Sequence, residues 1–194
     1  MTHEKIYIHY GHKLFQPELI KPLDYTDSKS AVGMTVKPPY CSGLWGSPAD
    51  SENSWKIWND SSGFSECDDD NSFRFRIHTD HKILTVNSTK SAISLVENYL
   101  TLAGSLRLRF VSGEVEMNPE DDLRSEKERC IDYIMSGQPF ESYSIKKLDF
   151  LKMQSDGYSG MEVSIGACPK LYWLLYGWDC DSIVVWNPDA IIQV

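Results

Sequence analysis

Three short strands, far apart along the chain, each carry a polar group at one end. The first ends on His9-Tyr10-Gly11. The second is Gly43-Leu44-Trp45-Gly46-Ser47-Pro48, and the third is Asp181-Ser182-Ile183-Val184-Val185-Trp186-Asn187-Pro188. Polar-ended strands from both chain termini are what a cleft at the junction of two sheets requires. Elsewhere strand and helix patterns mix without regular βαβ alternation, which predicts an α+β fold.

The 194 residues suit a single domain, 1–194, long enough to bury a core. The formal net charge of −9 argues against general nucleic-acid binding, because no basic excess exists to release counterions. Lys82, Arg107 and Arg109 could still form a local basic patch. Cys41, Cys67, Cys130, Cys168 and Cys180 are odd in number and widely spaced. Without a CxxC pair or a Cys/His cluster, no metal site is expected, and reduced thiols fit a cytoplasmic protein. The N-terminus lacks an apolar signal core. The longest apolar run, Leu171 to Tyr176, is far too short to span a membrane.

Lys5 to Tyr10 alternates aliphatic and polar residues and reads as a strand. Pro17, Pro22, Pro38 and Pro39 make most of 16–42 a loop. Ser51 is the expected N-cap of a short helix reaching Asn59. Phe73 to Ile77 and Lys82 to Asn87 read as strands, paired as a hairpin through Thr79-Asp80. Ser88 should cap a helix over 89–103, followed by a strand at 106–111. The acidic stretch Asn118 to Glu128 reads as a mobile or partner-facing insertion, or as the start of a helix continuing to Met135. A helix over 144–153, a strand over 160–165 and a helical turn over 169–176 precede the last strand.

The candidate site residues follow from these strand ends. His9 is either a partly buried, satisfied ring or a hydrogen-bond donor to a sugar hydroxyl. Tyr10 follows it, and Gly11 is either a turn glycine or bare backbone open to a ligand amide. Trp45, Trp55 and Trp58 form a core cluster or a stacking wall for a flat cationic ring. Trp55 and Trp58, three residues apart, share a helix face. Ser47 is the extended residue before Pro48, or a hydroxyl aimed at a ribose or carboxamide. Two acids compete for a catalytic role: Asp181 at the head of the last strand, and Glu162 inside Met161-Glu162-Val163. No Gly-rich phosphate loop is present, so any dinucleotide site is not of the Rossmann kind.

Taken together, these residues resemble the ADP-ribosyltransferase fold, in the branch typified by diphtheria toxin and the poly-ADP-ribose polymerases. That family carries a His on its first strand, matched by His9. It has a Gly-hydrophobic-aromatic strand, resembled by Gly43-Leu44-Trp45, and a further aromatic on the next helix, where Trp55 or Trp58 lies. A carboxylate leads its last strand, as Asp181 does here. The resemblance covers about a third of the chain, at both ends, and leaves about 104–155 unmatched. Tyr10 separates His9 from Gly11, Trp replaces the family's Tyr at both aromatic positions, and Asp replaces its Glu. Polymer formation is therefore not expected.

The resemblance implies two packed, mainly antiparallel sheets flanked by helices, with NAD as substrate in the cleft between them. It implies a mono-ADP-ribosyltransferase whose carboxylate, Asp181 or else Glu162, stabilises the cationic sugar formed as nicotinamide leaves. The acceptor would be a macromolecule, protein rather than nucleic acid, with no membrane or metal involved. A stand-alone enzyme of this size fits a bacterial or phage toxin or effector. The rival readings are a non-catalytic NAD- or ADP-ribose-binding module and an NAD glycohydrolase.

Overall fold

The computed structural model describes residues 4–23, 42–63, 67–102, 119–137, 146–175 and 178–194. Nine strands are described: β1 (Tyr7–Tyr10), β2 (Leu44–Pro48), β3 (Ser72–Ile77), β4 (Lys82–Val86), β5 (Leu100–Leu102), β6 (Lys146–Leu148), β7 (Tyr158–Val163), β8 (Ser182–Val185) and β9 (Ile191–Gln193). The helices among these residues are α1 (Trp55–Ser62), α2 (Thr89–Tyr99), α3 (Pro119–Ser136), α4 (Phe150–Ser155) and α5 (Leu171–Leu174). The fold is α+β. A seven-stranded sheet has the order β4-β7-β8-β2-β1-β3-β9, and β5 and β6 form a separate ribbon. The sheet is mixed: β4 and β7 run parallel, and the other neighbours run antiparallel. The ladder is continuous, because β2 pairs with β1 on one side and β8 on the other.

The sheet cannot be flat. β3 and β4 are five positions apart in the strand order, about 24 Å at the usual spacing. Only residues 78–81 join them, and a chain from Ile77 to Lys82 reaches at most about 18 Å. The two wings therefore curl toward each other. Ile77 of β3 and Ile83 of β4 meet the same apolar cluster, with Tyr7, Phe75, Ile183 and Val185.

Alternation along β8 divides the core in two. Ile183 and Val185 face the smaller cluster inside the curl. Val184 faces a larger one with Leu95, Ile134, Met153 and Met161. Between parallel neighbours a long crossover is obligatory. Here α2, α3 and α4 occupy that crossover and cover the larger cluster. The α2 start is set by a capping box in which Ser88 accepts from the Ser91 backbone and Ser91 reciprocates. Its buried Ala92, Leu95, Val96 and Tyr99 lie on one helical stripe.

Several expectations from the sequence change. The turn at 78–81 exists, but β3 and β4 do not form a hairpin; their partners are β1 and β9, and β7. Local alternation marks a strand and is silent on its neighbour. α2 stops at Tyr99, where Leu100 turns extended to pair with Leu148. The expected helix over 144–153 is instead β6 followed by α4, capped by Asp149. The tail after β8 returns as β9 against β3. The expected strand at 106–111 lies outside the described residues.

Of the two readings of the acidic stretch, the helix continuing to Met135 is the one found, as α3 over Pro119–Ser136. α3 packs on α2 and buries Cys130 and Ile134, and its Glu126 is fully buried, accepting from Arg129 at 2.9 Å. The helix's buried apolar residues, Cys130 and Ile134, fall beyond the acidic run, which is why composition alone hid its packing face.

One glycine tests the tightness of the central ladder. A Cβ on Gly160 would lie 2.6 Å from the Val184 carbonyl oxygen and 3.2 Å from the Val185 Cα. Backbone cannot yield as a side chain can. Gly160→Ala should cost about 1–3 kcal/mol, read as a lower midpoint in chemical denaturation. An unchanged midpoint would mean that β7 and β8 separate without loss.

Candidate functional site

β1, β2, α1 and the approach to β8 meet at one end of the sheet, around a cleft of about 230 Å³. Its lining includes His9 and Tyr10 from β1, Trp45, Gly46 and Ser47 from β2, and Trp55 from α1. Asp179, Cys180 and Ser182, at and before the start of β8, also line it. Among the candidates named from sequence, His9, Tyr10, Trp45, Ser47 and Trp55 are thus brought together. Gly11, Gly43 and Trp58 do not line the cleft. Gly11 and Gly43 occupy positive-φ turns, and Gly11 is bonded to Asn71 through its backbone. Trp58 stacks behind Trp55, with ring centroids 5.1 Å apart.

His9 has a defined tautomer. Its Nδ1 lies 2.7 Å from the Trp45 carbonyl oxygen, which can only accept, so Nδ1 carries the proton. Nε2 of the neutral ring is then an acceptor, and His12 Nδ1 sits 3.1 Å from it. A ribose hydroxyl would have to donate to His9, the reverse of the polarity expected from sequence. Burial is the main cause holding the imidazole below its ordinary range; the Trp45 carbonyl opposes this and His12 adds to it.

Ser47 is only 2% exposed, and its hydroxyl is committed within the protein. It donates to the Asp181 carbonyl at 2.6 Å and accepts from the Trp55 backbone N–H at 2.8 Å. The second contact satisfies a donor at the start of α1, where the N-cap Ser54 makes no side-chain bond. Ser51, expected to cap this helix, donates instead to Asp181.

Neither proposed catalytic acid lines the cleft. Asp181 Oδ2 accepts from Ser51 at 2.7 Å, and Oδ1 accepts from the Gly166 N–H at 2.8 Å and the Asn53 amide at 3.3 Å. This carboxylate ties β8 to the β2–α1 loop and to the turn after β7. Glu162 lies on the inner face of the curl, where it accepts from Lys5 and from the Tyr7 hydroxyl. Burial, and then the Glu162 charge, push the Tyr7 phenol far above its ordinary range.

Sequence reasoning missed Ile8, Gly46, Asp179, Cys180 and Ser182. Gly46 had a signal, lying two residues before Pro48 inside an apolar strand. A Cβ there would come within 2.8 Å of the Phe75 ring. The others become visible only once β8 is set beside β2. Among the described residues, no group of His, Cys, Asp and Glu could hold a metal ion. No helix among them is long and apolar enough to cross a membrane. Comparisons of the chain with protein-family models, curated proteins and solved structures found no match.

Two outcomes follow from these geometries. Asp181→Asn places an amide where three donors need an acceptor, and should lower stability by about 1–3 kcal/mol in urea denaturation. For His9, the unfolded chain takes up a proton at about pH 6.5, before the folded chain does. Its contribution to stability is therefore complete above that pH and is lost as the pH falls from there through the lower folded value. The melting-temperature advantage of wild type over His9→Gln should shrink on acidification from about pH 7.5 to about pH 5. A constant difference would show that His9 is not held neutral.

Proposed function

We propose that this protein is an NAD-dependent mono-ADP-ribosyltransferase, built as two sheet wings of the ADP-ribosyltransferase kind around its cleft. The observation that carries the reading is the convergence of His9, Trp45 and Trp55, from three separate elements, on one cleft. A dinucleotide with a cationic nicotinamide ring suits that lining. Indole faces stack on flat rings and attract cations. The His9 Nε2 lone pair can take a ribose hydroxyl once His12 moves aside. A volume of about 230 Å³ is below the ~300–1,000 Å³ of pockets that enclose a whole ligand, which fits entry of the nicotinamide–ribose end alone.

In the reaction, the bond between ribose C1′ and the nicotinamide nitrogen breaks. Its electron pair goes to the ring nitrogen, so nicotinamide leaves neutral and C1′ carries oxocarbenium-like charge. An acceptor lone pair then forms the new bond to C1′, and the acceptor's proton passes to solvent. The net charge of −9 favours a protein acceptor over nucleic acid. A cytoplasmic toxin or effector of a bacterium or phage is the setting this activity suits.

Added NAD should quench the intrinsic tryptophan fluorescence, and Trp55→Ala should weaken binding by about 1–3 kcal/mol if nicotinamide stacks as bases do on aromatics. The protein should release nicotinamide and transfer labelled ADP-ribose to proteins of a lysate. Release without transfer would make it a glycohydrolase. Binding without release would make it an NAD-binding module, a reading favoured by the absence of Asp181 and Glu162 from the cleft lining.

A further inference from the structure

We infer that Asp179 is the catalytic carboxylate of this cleft; the inference rests on the transferase reading above. Cleavage of the nicotinamide bond needs an anion close to the sugar as positive charge develops at C1′. Asp179 is the one carboxylate among the described residues lining the cleft. The acid suggested by the family pattern, two residues later, has another task. Its oxygens accept from Ser51, Asn53 and Gly166, and its carbonyl accepts from Ser47. Such a carboxylate is a structural tie, and its charge is already satisfied by donors outside the cleft. Glu162, tethered to Lys5 and Tyr7 inside the curl, does not line the cleft.

The local chain explains why Asp179 is the acid presented. Trp178 is 2% exposed and Cys180 is fully buried. The Trp178 ring packs on Trp45 at 4.7 Å between centroids, and Cys180 Sγ lies 3.1 Å from the Ser182 hydroxyl. Asp179, between them, is half-buried and lines the cleft together with Cys180. Trp45 thereby does two things: its ring fixes the segment bearing Asp179, and its carbonyl fixes the tautomer of His9. Trp45 thus touches both the histidine and the residue next to the acid.

The mechanism assigns Asp179 an electrostatic role. Its charge lowers the energy of the cationic sugar while the electron pair departs with nicotinamide, and no bond to Asp179 forms. The test measures nicotinamide release, NAD affinity by fluorescence quenching, and melting temperature for wild type, Asp179→Asn, Asp179→Glu and Asp181→Asn. Asp179→Asn should lose about two to three orders of magnitude in release, as for loss of one preorganised group, with NAD affinity and melting temperature near wild type. Asp179→Glu should retain a measurable part of the rate. Asp181→Asn should melt at a lower temperature, and any release it loses should accompany weaker NAD quenching, since Asp181 holds the loops that shape the cleft. Release unaffected by Asp179→Asn overturns the assignment while the transferase reading stands. Collapse of release in folded Asp181→Asn beside an active Asp179→Asn also overturns it, and returns the role to Asp181. No release from wild type overturns the transferase reading and the assignment together.

Discussion

The Asp181 carboxylate is the interaction on which the cleft depends. It is nearly buried, and a buried charge is stable only when hydrogen bonds replace its water. Donors from Ser51, Asn53 and Gly166 do this, and they come from two loops that otherwise share no strand pairing. The head of β8 is thereby bound to the β2–α1 loop and to the turn after β7. Ser47 continues the knot, since its hydroxyl connects the Asp181 carbonyl to the first helical N–H of Trp55. The position of Trp55 in the cleft follows from this network more than from the propensity of its short helix.

The second constraint is the curl of the sheet. A flat arrangement would leave β3 and β4 too far apart for residues 78–81 to join them. Curling the wings together buries Phe75, Ile183 and Val185 inside, and it lets Glu162 on β7 meet Tyr7 on β1. β2 lies in the middle, paired on both edges. It therefore contributes Trp45, Gly46 and Ser47 to a cleft that other strands complete. Gly46 keeps the floor of that region thin, because Phe75 occupies the space a side chain would need.

Much of the strand content was legible in the chain, because period-two alternation and proline stops are local. β1, β2, β3, β4 and β8 fall close to where the pattern puts them. Partners were not legible. The parallel β4–β7 pair and the return of β9 onto β3 depend on contacts between segments distant in sequence. The burial of α3 was hidden by the acidic residues preceding its apolar positions. In the cleft, sequence picked out His9, Tyr10, Trp45, Ser47 and Trp55, whose polar and aromatic side chains stand on or beside short apolar strands. It passed over Asp179, which is one of two acids a residue apart in Trp178-Asp179-Cys180-Asp181.

The sequence by itself determined the α+β class, the apolar strands at both ends and the set of polar and aromatic residues that could meet between them. Those follow from side-chain chemistry and spacing, which are properties of the chain alone. Only the tertiary structure decided which acid faces the cleft. Asp179 and Asp181 are chemically identical, and what separates them is that Asp179 lines the cleft and Asp181 does not. Ser51, Asn53 and Gly166 donate to Asp181 and hold it between their loops. Donor positions of that kind exist only once distant loops have been packed together.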